Sequence, residues 1–247
     1  LPIGNPFAYR WGSYVTPGHD NMNLWAAFPG DKHGTLTGKL ALKIAELVEG
    51  SDYFIDLHCY SMIGVPYTIV DIDRGKKKTR DSAMRMARAM GFTTVTERNM
   101  PDFEPYGESV ALGFGMSRDV PSILVEFNDF RLWRGPTVQQ GVTGILNIMR
   151  DLKMLPGKLS TEVKPVTDKL LEGKIVTSNH GGIVPPNLDP GSPIKLRSEL
   201  AWILNPYGDV IEAVQSPGNG FLMGYPLLGT QAIPSGGFVS YVGLDVG

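Results

Sequence analysis

Two polar residues lie at the ends of apolar runs, where the strands of a sheet present side chains to a ligand. His58 closes the run Tyr53-Phe54-Ile55-Asp56-Leu57-His58, and Glu126 follows the most apolar run of the chain, Ser122-Ile123-Leu124-Val125. In a parallel α/β sheet, ligands bind at the carboxyl ends of the strands. An imidazole there can bind a metal ion, and a carboxylate there can act as a general base.

The strand that ends at His58 carries two further candidates. Asp56 and His58 project to the same side of a strand, so the carboxylate of Asp56 can fix the tautomer of a metal-binding His58. The alternative is a buried histidine held by hydrogen bonds. Cys59 is a rival nucleophile, but it points to the opposite face from His58 if the strand continues, and we expect it to have a packing role.

Glu126 has two explanations that the residues alone leave open. An unpaired carboxylate at the end of so apolar a strand is costly in free energy, which favours a functional role as a general base. A salt bridge with Arg131 or Arg134, both close in sequence, is the alternative.

The elements around these residues alternate between strands and helices. Apolar residues at helical spacing between Thr35 and Gly50 predict an amphipathic helix that Thr35 begins and Gly50 ends. The other predicted helices cover residues 79–90, 108–117 and 137–153, and the predicted strands cover 53–58, 66–70, 93–97 and 122–127. Continuously apolar strands that alternate with helices indicate an α/β fold with a parallel sheet covered on both faces.

The two ends of the chain differ from this middle part. Residues 5–34 combine many Gly, Pro, Asn and aromatic residues without a sustained period, which predicts a long ordered loop that carries function. After residue 158, short β-like runs are separated by Pro and Gly turns. We therefore expect an α/β catalytic domain over 1–157 and a β domain over 158–247.

Composition limits the classes of partner. The 247 residues carry a net charge of -2 and a single cysteine, and no apolar run reaches the length of a membrane span. These features predict a protein without an internal disulfide, a nucleic-acid partner or a membrane partner, and a cytoplasmic location. The basic run over residues 74–88 is interrupted by acidic residues, which favours a solvated helix face over a site for a polyanion.

Taken in order, five segments resemble the succinylglutamate desuccinylase/aspartoacylase family of zinc-dependent deacylases, which are related to zinc carboxypeptidases. The segments are Asn5-Pro6, the run from Asp20 to Asp31, Gly34-Thr35-Leu36-Thr37, Asp56-Leu57-His58 and Leu124-Val125-Glu126. Residues 189–194 and 215–220 are similar to the C-terminal module of that family. The resemblance implies a zinc-carboxypeptidase-like, mostly parallel sheet with helices on both faces and a small C-terminal all-β, barrel-like domain.

The resemblance also implies a mechanism. His58 matches the third zinc ligand of the family and Glu126 its catalytic glutamate, with Asp56 in support of His58. Zinc would activate a water molecule for cleavage of an amide bond, and Glu126 would transfer the proton to the leaving amine.

A first departure from the family concerns the metal. The family takes its first two zinc ligands from an upstream His-Gly-x-Glu motif that this sequence lacks, and catalytic zinc needs three protein ligands. We expect one zinc ion per complete active site, with two ligands from a segment upstream of Leu1. The chain is then a fragment without the N-terminal part of its domain, or a homo-oligomer or separate chain supplies that segment, or the protein is a degenerate, metal-free relative.

A second departure concerns the substrate. The Asn-Arg pair with which the family binds a substrate carboxylate aligns with Trp25-Ala26, and another substrate-binding Arg aligns with Tyr14. Without a guanidinium group, a pocket that includes Tyr14, Asn23, Trp25 and Ala26 predicts a small-molecule amide that lacks an acidic group at that end. The alternatives are a packing role for Trp25, and a catalytically inactive protein that uses this surface to bind a small molecule.

Overall fold

The computed structural model describes residues 1–59, 62–98, 110–128, 134–226 and 232–246. The α-helices are α1 (Pro6–Arg10), α2 (Leu36–Glu49), α3 (Lys77–Met90), α4 (Ala111–Ser117) and α5 (Gly135–Asp151), and a 3-10 turn covers Leu24–Ala26. The strands are β1 (Phe54–His58), β2 (Met62–Gly64), β3 (Tyr67–Ile69), β4 (Thr93–Thr96), β5 (Ser122–Glu126), β6 (Leu171–Thr177), β7 (Gly182–Ile183), β8 (Pro193–Ile194), β9 (Glu199–Leu204), β10 (Val210–Gln215), β11 (Gly220–Pro226), β12 (Ala232–Ile233) and β13 (Phe238–Asp245).

Helix α2 has the ends that the sequence predicts. The hydroxyl of Thr35 accepts a hydrogen bond from the backbone N–H of Gly38 at 3.2 Å and so caps the amino end. Gly50 follows the last helical residue, and the N–H of the next residue, Ser51, donates to the carbonyl of Val48 at 3.0 Å. The predicted alternation of strands and helices is confirmed as far as Asp151. The first residues of the predicted helix 108–117 lie outside the described part of the chain.

The prediction of an uninterrupted loop over residues 5–34 is wrong in two places. Helix α1 forms because the side chain of Asn5 accepts hydrogen bonds from the N–H groups of Phe7 and Ala8, and Pro6 occupies the first turn, where a missing N–H costs nothing. Asn23 caps the 3-10 turn in the same way through Trp25. Elements of five and three residues are too short to show a helical period in the sequence.

Strand β2 is also absent from the sequence prediction. It has three residues and pairs with β11, where Gly64 lies opposite Gly224. A Cβ atom on Gly64 would lie 2.4 Å from the carbonyl oxygen of Met223, so only glycine permits this close approach. The strand therefore depends on a distant partner and not on a pattern of its own.

The chain divides into two compact units. The first comprises Leu1–Asp56, Val70–Met84 and Pro101–Leu124, and the second comprises Leu57–Ile69, Arg85–Met100 and Val125–Gly247. The apolar core of the first unit contains Phe28, Ala45, Val48, Ala111, Phe114 and Val120.

The second unit contains a large sheet with the strand order β1-β5-β3-β4-β6-β13-β11-β2, to which β1 and β5 contribute their last residues. Strand β8 pairs with β11. The sheet is parallel where β3, β4 and β6 pair and antiparallel where β6, β13 and β11 pair. A separate antiparallel sheet has the order β10-β9-β7-β12. The predicted α/β class with an additional β part is thereby confirmed.

The C-terminal strands do not all belong to the separate sheet. Strand β6 continues the large sheet by pairing in parallel with β4, with Val95 opposite Leu171. The domain boundary at residue 157 stays a prediction. The core of this part is formed by Val176, Val184, Ile194, Leu200, Ala201, Ile203, Val214, Leu222, Tyr225, Ile233, Val239 and Val242. No helix in the described ranges is long and apolar enough to cross a membrane.

Candidate functional site

The structure brings His58 and Glu126 together. They are the last residues of β1 and β5, which are neighbours in the sheet. Nδ1 of His58 lies 3.4 Å from Oε1 of Glu126. Beyond the strand ends, the backbone N–H of Phe127 donates to the carbonyl of His58 at 3.1 Å. The two residues that the sequence singled out separately therefore form one polar pair at the carboxyl ends of adjacent strands.

The two side chains of this pair differ in how far they are buried. Glu126 is 8% exposed and every residue of β5 is buried, whereas the side chain of His58 is 24% exposed. A carboxylate in such surroundings needs a charged or hydrogen-bonding partner, and the imidazole is within reach. The arrangement can accept a proton from a bound molecule and return it. The sequence also offered Arg131 and Arg134 as partners of Glu126. Arg131 lies outside the described residues, and a pairing with Arg134 stays a prediction.

The neighbours of His58 on its own strand were also candidates. Asp56 lies two residues earlier in β1, on the same side of the strand, and is half-buried. Its role in support of His58 stays a prediction. Cys59 follows the strand and is half-buried, and its packing role stays a prediction.

The residues after Glu126 were missed by the sequence analysis. The ring of Phe127 meets that of Phe92 edge to face, with centroids 6.0 Å apart. Asn128 is 1% exposed and has a φ of 54°, and its side-chain Nδ2 donates to the carbonyl of Val65 at 2.8 Å. An Asn after a strand is a common turn former, so its type gives no sign that it is buried.

The predicted substrate residues lie on one short segment of the first unit. Val15 and Asn23 form an antiparallel bridge, and the N–H of Thr16 donates to the carbonyl of Met22. Tyr14 precedes this bridge and is 40% exposed. Asn23 uses its side-chain oxygen to accept from the N–H of Trp25 at 3.1 Å. In the structure, the side chain of Asn23 therefore stabilises the fold of this segment.

The other two predicted substrate residues follow Asn23 in the 3-10 turn. Trp25 is half-buried and Ala26 is exposed. Their contact with a substrate stays a prediction.

Asp20 holds that segment to helix α2, and the sequence analysis missed it. Its carboxylate accepts from the N–H of Thr37 at 2.7 Å, from the hydroxyl of Thr37 at 2.8 Å and from the N–H of Met22 at 3.1 Å. Burial acts to raise the pKa of Asp20, but the hydrogen bonds from Thr37 and Met22 hold that pKa well below its usual range. A negative charge is also favourable in the first turn of a helix.

A chain of buried hydroxyl groups extends the same connection. The hydroxyls of Thr16 and Thr37 are 2.7 Å apart, and the side-chain amide of Asn5 donates to Thr16 at 3.0 Å. Both threonines are buried. Polar contacts therefore fix the segment that contains the predicted substrate residues to α2.

The described residues do not supply the set of ligands that a catalytic zinc ion needs. Such an ion takes three protein ligands and keeps one position open. Within the described ranges, no three His, Cys, Asp or Glu side chains are grouped so that they could hold a metal ion. His58 alone does not fit that requirement.

Similarity to known proteins is found at the level of structure. No family model and no curated protein matches the sequence. Succinylglutamate desuccinylase/aspartoacylase from Rhodobacter sphaeroides is 20% identical with a TM-score of 0.81, and the match covers 100% of this chain and 74% of that one. The fold is that of the succinylglutamate desuccinylase/aspartoacylase structures.

Two further structures share this succinylglutamate desuccinylase/aspartoacylase fold. The product-bound ectoine utilization protein EutE (DoeB) from Ruegeria pomeroyi is 20% identical with a TM-score of 0.83, over 99% of this chain and 74% of that one. A mutant of murine aminoacylase 3 is 10% identical with a TM-score of 0.58, over 99% of this chain and 81% of that one. At these identities the likeness concerns the fold, and the fold agrees with the resemblance found in the sequence.

Proposed function

We propose that this chain belongs to a hydrolase that cleaves an amide bond in a small N-acyl molecule. The observation that carries the proposal is the contact of His58 with the buried Glu126 at the ends of β1 and β5. The fold adds support, because the similar structures include proteins named as a desuccinylase/aspartoacylase and an aminoacylase. Both names describe removal of an acyl group from an amine.

Glu126 is the general base and later the general acid in this proposal. Its carboxylate takes a proton from a water molecule while the water oxygen bonds to the amide carbon. The C–N bond then breaks, and Glu126 gives the proton to the leaving nitrogen, which departs as a neutral amine. A positioned general base or acid contributes about 10²–10⁴-fold to such a reaction.

Zinc dependence is part of the proposal only with ligands from outside the described residues. His58 is the one predicted ligand within them, and a catalytic site takes three. The further ligands would come from the remaining residues, from a second copy of the chain or from a separate chain. A cytoplasmic location is likewise part of the proposal.

The proposed substrate has no acidic group at the end that contacts Tyr14, Trp25 and Ala26. Two of these side chains are aromatic and the third is a methyl group, so none can bind a carboxylate with two parallel hydrogen bonds as arginine does. An aromatic or aliphatic acyl group or amine fits such a surface better.

A second candidate is a metal-free, catalytically inactive protein that binds a small molecule with the same fold. It is favoured by the absence of three grouped ligands among the described residues and by the use of Asn23 as a cap. It gives His58 and Glu126 no chemical task, although both are present.

Metal analysis and a substrate panel separate the two candidates. The purified protein, as it occurs in the full-length polypeptide, is assayed for zinc and for release of amine from neutral N-acyl amines and from N-acetylaspartate. The enzyme proposal expects about one zinc per site and faster release from the neutral amides. If the protein contains no metal and binds these amides without hydrolysing any of them, it is the inactive binder.

A further inference from the structure

The turn that follows Glu126 is held at three consecutive residues. Glu126 contacts the imidazole of His58 through its side chain, and Phe127 donates its backbone N–H to the carbonyl of His58. Asn128 donates its side-chain amide to the carbonyl of Val65 at 2.8 Å. The strand end that carries the carboxylate is thus fixed from both sides.

Two features of Asn128 are energetically unfavourable. Its φ of 54° lies in the left-handed region, which asparagine tolerates better than most residues but which glycine adopts more readily. Its Oδ1 is buried and has no hydrogen-bond partner among the described residues, and a buried amide oxygen without a partner is destabilising. A glycine would avoid both penalties, so the amide must supply something that the turn itself does not require.

What the amide supplies is the link to Val65. Val65 lies between β2 and β3, and its own N–H donates to the carbonyl of Met223 at 2.9 Å in β11. Asn128 therefore connects the end of β5 to backbone that is itself fixed in the large sheet. Phe127 is the one residue between Glu126 and Asn128 in the sequence, and its N–H joins the end of β5 to the end of β1.

We propose that Asn128 is a positioning residue, which holds the turn after β5 so that the carboxylate of Glu126 stays against His58. The inference rests on the proposed function in one respect, namely that Glu126 is the base. Asn128 acts through the backbone of Phe127 and does not touch the reacting atoms. Loss of its amide frees the strand end and moves the carboxylate out of alignment without unfolding the sheet.

The test uses Asn128→Gly, which removes the amide but suits the left-handed conformation. Lys153→Gly is the matched control, because exposed Lys153 has a φ of 61° and lies after α5. Each full-length variant is compared with the wild type by hydrogen exchange of single amides in NMR and by steady-state kinetics.

We expect the amide of Phe127 to exchange about tenfold faster in Asn128→Gly while that of Val125, inside β5, is unchanged. We also expect kcat to fall about tenfold or more at constant KM, because a small misplacement of a catalytic group is costly. Lys153→Gly should change neither quantity. Unchanged exchange at Phe127, or wild-type kcat in Asn128→Gly, overturns the inference. If the wild type hydrolyses no amide, the proposed function fails, and the exchange of Phe127 alone decides whether Asn128 holds the turn.

Discussion

Nδ1 of His58 and Oε1 of Glu126 are 3.4 Å apart, and the backbone of Phe127 joins the strands that carry them. The pair is therefore set by the sheet and not by flexible loops. Side chains on neighbouring strand ends keep a fixed separation, which proton transfer requires. This relationship is the basis of the predictions on activity.

The packing behind Phe127 gives the first prediction. A Cβ atom on Gly141 of α5 would lie 2.8 Å from Cε1 of Phe127, whose ring also meets Phe92. Gly141→Ala should therefore lower the free energy of unfolding by about 1–3 kcal/mol, as overpacking does. Gly38→Ala is the control, because its Cβ would make only ordinary contacts in α2, and it should stabilise by about 0.5–1 kcal/mol. Urea unfolding measures both, and equal effects of the two changes would refute the packing argument.

The charge of Asp20 predicts a dependence of stability on pH. Hydrogen bonds from Thr37 and Met22 hold the pKa of Asp20 below its value in the unfolded chain, which is about 3.9. The stabilisation is therefore present at neutral pH and is lost as the pH falls below about 4 towards the lower folded-state pKa. Asp20→Asn should have a lower Tm than wild type at pH 7. The difference in Tm between the two proteins should be smaller at pH 3.

Exposed Asp52 provides the control for this pH dependence. Asp52→Asn should leave Tm nearly unchanged at both values of pH. A difference between wild type and Asp20→Asn that is constant from pH 7 to pH 3 would show that the charge of Asp20 contributes nothing.

The carboxylate of Glu212 in β10 predicts a similar effect in the C-terminal part. It accepts hydrogen bonds from the backbone N–H groups of Asn179 and His180, from the side-chain amide of Asn179 and from Nδ1 of His180. Burial acts to raise the pKa of Glu212, but these hydrogen bonds lower it overall. Glu212→Gln should cost about 2 kcal/mol at pH 7, the value of a hydrogen bond to a charged group.

Differential scanning calorimetry between pH 7 and pH 3 tests this loss. Because the folded pKa of Glu212 is the lower one, the difference from wild type should diminish as the pH falls below about 4. Exposed Glu162 supplies the control Glu162→Gln, for which we expect no effect. A Glu212→Gln protein as stable as the control would contradict the prediction.

The prediction that the substrate segment cannot bind a carboxylate can be tested by introducing a guanidinium group. Ala26 is exposed, so Ala26→Arg introduces a charge without disturbing a core. The ratio of kcat/KM for N-acetylaspartate to that for a neutral amide should rise about tenfold or more, since a charged hydrogen bond contributes about 1.5–3 kcal/mol. Ala26→Met adds similar length without charge and should not raise the ratio. An equal rise in both variants would place the substrate carboxylate elsewhere.

The sequence predicted those elements whose pattern is local. Strands β1 and β5 are continuous apolar runs, and α2 has a helical period with Thr35 and Gly50 at its ends, so all three were found within one residue of their bounds. Strand β2 and helix α1 were missed, because β2 depends on pairing with β11 and α1 depends on the cap from Asn5.

The site divides in the same way. His58 and Glu126 were noticed as polar residues at strand ends, but only the sheet shows that they meet. Asp20 and Asn128 were missed because each resembles an ordinary turn residue. Their partners, Thr37 and Val65, lie 17 and 63 residues away in the sequence. No local pattern reports contacts over such separations.

The most direct test of the proposed function is the kcat of Glu126→Gln on the best neutral N-acyl amine. Glutamine keeps the size of the side chain but cannot accept and return a proton, so kcat should fall by about 10²–10⁴-fold while the protein remains folded. Glu162→Gln, made and measured in parallel, should retain wild-type kcat. Wild-type kcat in Glu126→Gln would contradict the assignment of Glu126 as the base, and with it the proposed mechanism.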